Sequence, residues 1–131
     1  EFGMAILFIT HDLGVIAEMC SRVLVMYAGR IAEQAEITPL FRRPLHPYTQ
    51  GLLTSIPRLD NEPKSTLTTI PGVVPGLNEM PNGCRFGNRC SHVDQTCRRH
   101  IPPLIEPERG RMVACHHWTE VEKSISTKAS A

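Results

Sequence analysis

Ala5-Ile6-Leu7-Phe8-Ile9-Thr10-His11-Asp12 is the stretch on which the fold reading turns. Its apolar run, Ala5 to Ile9, predicts a strand buried on both faces, as in a parallel sheet, and is too short for a helix. Beyond it, Leu13, Ile16, Ala17 and Cys20 recur at helical spacing. Asp12 stands where its carboxylate can accept hydrogen bonds from the free N–H groups of the first turn. Strand, turn and helix in this order predict an α/β arrangement. His11 follows the strand directly, at the end where ligands gather in open α/β sheets. Lone histidines are more often structural, and its place beside a capping acid is what raises the functional reading.

Working outward, Arg22 to Tyr27 and Arg30 to Gln34 flank Ala28-Gly29 and predict a β-hairpin, with glycine supplying the left-handed turn position. Thr38-Pro39 reads as an N-cap and first helical residue of a short helix that Pro44 ends. Pro47 opens another, with Tyr48, Leu52 and Ile56 recurring every four residues and Pro57 closing it. All eleven prolines lie at or beyond Pro39, so the chain changes character there. Arg58 to Ser65 is a polar connector, and the turn-rich run from Pro71 to Gly83 has little periodicity to bury. Such a segment needs a cross-link to hold one shape. The residues from Glu120 on are poor in apolar side chains, so the tail is expected to fray.

Composition narrows the partners. Fourteen Lys and Arg against thirteen Asp and Glu give a net charge of +1 with neutral histidines, too balanced for the wide basic stripe that duplex nucleic acid requires. No nucleic-acid partner is expected. The apolar fraction of 41% and charged fraction of 21% are those of ordinary globular proteins. No apolar run approaches the roughly 20 residues of a membrane-spanning helix. Glu1-Phe2-Gly3 resembles a cloning scar ahead of Met4 more than a signal peptide, which makes a cytosolic chain the default. Cysteines in such a chain point to metal ligation before disulfides.

Cys84, Cys90, Cys97 and Cys115 form the strongest chemical signal. Four thiolates can converge on one tetrahedral zinc ion or one [4Fe–4S] cluster. Zinc ribbons usually pair their cysteines more tightly, whereas a cluster tolerates ligands from separate turns; spacing alone favours neither decisively. Two disulfides in an oxidised chain are a third arrangement. Gly83, Gly87 and Pro81 would let the backbone bend close to the centre, and Arg85, Arg89, Arg98 and Arg99 could offset thiolate charge. His92, His100, His116 or His117 could replace a cysteine, with His116 the reserve ligand; Trp118 could pack over the centre. A fold-stabilising role outweighs redox catalysis. The 131 residues contain no G-x-x-x-x-G-K-[ST], so the chain has no phosphate cradle of its own.

Ile6-Leu7-Phe8-Ile9-Thr10-His11-Asp12-Leu13-Gly14-Val15, followed by Val23 to Arg30, resembles the end of an ABC transporter nucleotide-binding domain. His46-Pro47-Tyr48-Thr49-Gln50-Gly51-Leu52-Leu53, Ile70-Pro71-Gly72, Pro81-Asn82-Gly83-Cys84 and Arg89-Cys90 narrow the resemblance to the ATP-binding subunits of oligopeptide and dipeptide importers. It runs from about Ala5 to Trp118. The resemblance implies an α/β fragment, the end of an ABC ATPase core built of strand, helix, β-hairpin and short helices, followed by an irregular Cys-rich C-terminal extension. His11 matches the switch-loop histidine, which in that family contacts the γ-phosphate of ATP at the dimer interface. In some members four cysteines hold a [4Fe–4S] cluster, and Cys84, Cys90, Cys97 and Cys115 match them.

The same resemblance implies ATP and Mg for a longer parent, with a partner ABC ATPase and transmembrane permease subunits at the inner face of the cell membrane. Walker A, the signature motif and Walker B would lie upstream of Glu1, so this chain alone is expected to hydrolyse nothing. The division that follows is residues 1–4 as the scar, 5–60 as the end of the nucleotide-binding domain, 61–118 as the extension and 119–131 as a flexible tail. Without neighbouring strands, the apolar run predicts self-association. The rival reading makes residues 66–118 an independent zinc-binding interaction module, and metal identity discriminates the two.

Overall fold

The structure, a computed structural model, describes residues 3–56 and 68–129. Pro57 and the connector from Arg58 to Ser65 lie outside the described residues. Helix α1, Leu13–Met19, starts as its sequence dictates: an Asp12 Oδ1 accepts from the Gly14 and Val15 amides at 2.9 and 3.2 Å. Strands β1, Arg22–Tyr27, and β2, Arg30–Glu36, form the expected antiparallel hairpin. Both turn residues take positive φ, Ala28 at 47° and Gly29 at 79°, which matches the turn to the right-handed twist of its strands. Glycine adopts this conformation freely; Ala28 does so less readily and was not foreseen in that role.

Helix α2, Ile37–Arg42, begins two residues before the expected Pro39 start, with Glu36 rather than Thr38 at its N-cap position. Helix α3, Pro47–Thr54, begins where proline predicts, because proline lacks the N–H that a first helical residue leaves unused. It stops before Ile56, the last member of the expected stripe. His46 caps it, Nδ1 accepting from the Tyr48 amide at 3.0 Å.

A short helix α4, Gln95–Arg99, is followed by strands β3, Ile105–Glu108, and β4, Arg111–Val113. The sheet order is β1-β2-β4-β3, with every pairing antiparallel. The part rich in proline and the part without it therefore share one sheet. Two expectations are corrected. Ala5 to Ile9 forms no strand; Ile6, Leu7 and Ile9 are exposed, and the expected parallel sheet gives way to an antiparallel one. An apolar run becomes a buried strand only where strands and cover await it, and the four strands of this sheet pair among themselves. The expected fraying tail instead contains helix α5, Trp118–Ala129. Val121 is fully buried, its carbonyl accepts from Gln50 Nε2 at 3.0 Å, and Glu122 pairs with Arg43 Nη1 at 2.7 Å. One well-placed apolar side chain and two long-range polar ties supply what the polar composition concealed.

The core lies on one face of the hairpin. Along β1 the side chains alternate, burying Val23, Val25 and Tyr27 and exposing Leu24 and Met26. Tyr27, Tyr48 and Phe86 meet with ring centroids 4.8 to 5.5 Å apart. Edge-to-face geometry adds stabilisation beyond their buried area. Cys84 and Cys90 pack against the same cluster, while Cys20, expected in the core, is a half-buried cap residue of α1. Glu33 on β2 is fully buried and accepts from the Leu45 and His46 amides at 2.9 and 3.0 Å, with Arg111 Nη2 of β4 at 3.3 Å. Burial raises its pKa, while these partners oppose the shift. The carboxylate thus ties the hairpin, the α2–α3 link and the returning chain together.

Candidate metal centre

The four cysteines come from separate pieces of local structure. Cys84 precedes a tight turn, Cys90 follows the 3-10 turn Gly87–Arg89, Cys97 is buried in α4, and Cys115 follows β4. All four line one small cavity of about 10 Å³, together with His46, Phe86, His92, His116 and His117 among others. The folding is local and specific. The Cys84 amide donates to the Cys97 carbonyl at 2.7 Å, bringing the first loop against α4. Gly83 makes this contact feasible, since a Cβ there would stand 2.6 Å or less from backbone atoms of Cys97 and Arg98. A methyl group at residue 83 would force the two segments apart.

Backbone N–H groups are directed at the sulfurs. The Cys84 thiol takes them from Phe86 and Gly87, Cys90 from His92 at 3.4 Å, and Cys115 from His117. In three of the four cases the donor includes the residue two positions on, a loop shape that favours thiolate over thiol. Burial works against it. The pKa values of all four thiols are raised, first by burial, and for Cys90, Cys97 and Cys115 also by other thiolates of the set. Cys115 is pushed up to about 12. Four sulfurs so placed stay protonated near neutral pH unless a cationic centre offsets their charge.

Two of the arginines beside the cysteines have backbone partners of their own. Arg85 donates through Nη1 to the Ala28 carbonyl, and Arg89 donates to the carbonyls of Pro71 and Ile70 at 2.9 and 3.1 Å. Both satisfy backbone oxygens that the irregular loops leave unpaired, and Arg98 and Arg99 are exposed on α4. His116, the reserve ligand, lines the cavity, but its Nε2 lies 2.9 Å from the His100 carbonyl. Its neighbour His117 stands 2.9 Å from Asp94 Oδ2 through Nε2. Asp94, His117 and Cys97 bring one donor atom each within 4.8 Å of the others. Asp94 was not singled out from the sequence, although Asp94-x-x-Cys97 spells an N-cap, and Asp94 Oδ1 does accept from the Cys97 amide at 2.9 Å. His46 was also missed. Buried between α3 and the Ala114 backbone, it has a pKa lowered to about 4 by that burial. His11 lies exposed at the bend before α1 and is not among the residues lining the cysteine cavity.

Comparison with known proteins gives this arrangement its context. The chain belongs to the family described as oligopeptide/dipeptide transporter, C-terminal region, which matches residues 32–97. It is 52% identical over 121 residues to a probable peptide ABC transporter ATP-binding protein of Sinorhizobium fredii, covering 92% of this chain and 36% of that protein. It is 47% identical over 120 residues to the oligopeptide transport ATP-binding protein AppD of Bacillus subtilis, with 92% of this chain and 36% of that protein covered. To the oligopeptide transport ATP-binding protein OppD of Salmonella typhimurium it is 50% identical over 115 residues, 88% of this chain and 34% of that one. The chain thus spans about a third of the length of these curated relatives. Among the described residues, no helix is long and apolar enough to cross a membrane.

Proposed function

We propose that this chain is the C-terminal region of the ATP-binding subunit of an ATP-driven peptide importer, contributing a switch histidine and a cofactor-stabilised docking extension. The observation that carries the reading is the match of residues 32–97 to the importer family in the same segment that gathers Cys84, Cys90 and Cys97 around one cavity. In the complete subunit, ATP and Mg would bind residues of the larger core. His11, at the end of the Ala5 to Ile9 segment, would contact the γ-phosphate across the interface with the partner ATPase, and permease subunits would hold the assembly at the inner face of the membrane. The exposed apolar side chains of Ile6, Leu7 and Ile9 support this, because a run of that kind fits a core with further strands.

Cys84, Cys90, Cys97 and Cys115 would hold the extension's cofactor. The donor set fits a [4Fe–4S] cluster: four thiols on one cavity, with amide N–H groups directed at their sulfurs. The grouping tight enough for a single ion takes in only Cys97 of the four, which favours the larger centre for the set as a whole. Such a cluster supplies a cationic core that stabilises thiolates and can carry an electron. The chain's own contribution is to present four sulfurs from otherwise weakly patterned loops, to keep them partly dry and to fix them against the Phe86 side of the core. This is a staple for the docking extension.

The test uses the complete subunit assembled with its partners. His11→Ala should reduce ATP hydrolysis by orders of magnitude while leaving nucleotide binding in place, and Cys97→Ser should lower the stability of the extension without abolishing nucleotide binding. Undiminished hydrolysis by the His11→Ala assembly would remove His11 from the proposed role. The rival reading, a zinc-binding interaction module, draws on the Asp94, Cys97 and His117 grouping.

A further inference from the structure

His117 and Asp94 approach each other closely beside Cys97. The His117 Nε2 atom is buried and has no hydrogen-bond partner, yet Asp94 Oδ2 lies only 2.9 Å away. The separation is that of a hydrogen bond and the direction is not. Both atoms are close enough to share one ion. Cys97 Sγ completes a triangle whose sides are all within 4.8 Å. Nitrogen and oxygen ligands about 2.0 Å from a tetrahedral zinc ion stand roughly 3.3 Å apart, a few tenths of an ångström from the spacing observed.

The surroundings are those of a ligand set. Asp94 uses Oδ1 to accept from the Cys97 amide, which leaves Oδ2 for an ion. The other ring nitrogen of His117, Nδ1, has the Glu120 carboxylate 3.8 Å away, which adds negative charge near the ring. Cys97 is buried, His117 is three-quarters buried and Asp94 is half-exposed, so the site is closed on one side and open to an incoming ion on the other.

We infer that Asp94, Cys97 and His117 form a mononuclear site for a zinc-class divalent cation, with its fourth position open to water. Cys97 also belongs to the four-cysteine set, so the two occupancies exclude each other: the ion binds when the larger centre is absent. That exclusion rests on the cofactor reading of the four cysteines; the three-residue site itself does not.

Cobalt(II) reports on such a site through visible bands whose intensity marks tetrahedral geometry and a charge-transfer band that marks thiolate. The reduced, metal-stripped 131-residue chain should bind one equivalent with both signatures. His117→Ala and Asp94→Ser, the latter keeping a helix-capping oxygen, should each weaken binding by about tenfold or more. Cys97→Ser should remove the charge-transfer band. The combined change Cys84→Ser, Cys90→Ser and Cys115→Ser should leave the titration essentially unaltered. Cobalt binding that ignores His117→Ala and Asp94→Ser but vanishes with the three serines would overturn the inference and leave the four-cysteine centre standing. No binding by the unaltered chain would overturn it as well. Circular dichroism checks that the triple variant folds; where it does not, the single His117→Ala titration decides.

Discussion

The run Ala5 to Ile9 and strand β1 are both apolar, and the fold treats them in opposite ways. In β1 every second side chain is buried, because β2 supplies its ladder and Tyr48 and Phe86 cover its inner face. In the earlier run Ile6 is 79%, Leu7 88% and Ile9 90% exposed, and among the described residues no strand lies beside it. Hydrophobicity along a chain encodes a demand for burial; what satisfies the demand is encoded elsewhere. For β1 the answer lies within these residues, in a glycine turn and in aromatic side chains up to Phe86. For the earlier run it does not, which fits a segment whose strand neighbours belong to the larger core proposed above.

This contrast can be broken from either side. The largest effect is expected at Phe86, which touches Tyr27, Tyr48 and His46 and is buried. Phe86→Ala should destabilise the chain by about 3–5 kcal/mol in denaturant unfolding, through lost transfer energy and a cavity beneath β1. A loss below about 1 kcal/mol would mean that the hairpin does not depend on this cover.

A somewhat smaller effect follows from His46, held near a pKa of about 4 by burial against an ordinary 6.5. The folded chain keeps it neutral while the unfolded chain takes up a proton below about pH 6.5. Stability is therefore complete above that pH and is lost as the pH falls toward 4, by up to about 3 kcal/mol. Glu33, whose carboxyl is raised by burial, works the other way over the acid part of this range. The informative quantity is the difference from His46→Asn, which keeps a capping oxygen and does not titrate: its stability curve should lack the acid loss. Parallel curves would remove His46 from the account.

The smallest effect on stability, and the sharpest statement about the uncovered run, comes from Leu7→Lys. Unfolding free energy should change by less than about 0.5 kcal/mol, since the side chain is already in solvent. Self-association, measured by light scattering across micromolar concentrations, should fall. A large loss of stability would show that the run is packed in solution.

These contrasts also mark what could be read from the amino-acid order. The Asp12 cap, the Ala28-Gly29 hairpin and the Pro47 helix start were legible because each is a short-range device in which one residue type satisfies one backbone requirement. Strands β3 and β4 were not. Ile105–Glu108 carries Pro107 between two acids, and nothing local predicts that β4 will find β2 across the intervening chain. The burial of Glu33 was equally hidden, because the amides that receive its carboxylate belong to Leu45 and His46 beyond α2. The four cysteines were singled out as a group from their residue type and number, and in the fold they line one cavity. Hidden too was the second use of Arg85 and Arg89, which donate to backbone carbonyls. His117 was among the histidines the sequence offered, but its pairing with Asp94 required the third dimension: the residues before α4 and before α5 meet only in the folded chain.

The central claim is that Cys84, Cys90, Cys97 and Cys115 act together as the ligands of one cofactor at the end of an importer ATPase subunit. The most direct measurement is the iron, acid-labile sulfide and zinc content of the chain purified without oxygen, with its visible spectrum, alongside each single Cys→Ser variant. The account predicts iron and sulfide in equal amounts, about four of each per chain for a [4Fe–4S] cluster, with content falling in every one of the four variants. A chain free of iron and sulfide, with the same zinc content whether Cys84, Cys90 or Cys115 is replaced, would contradict it.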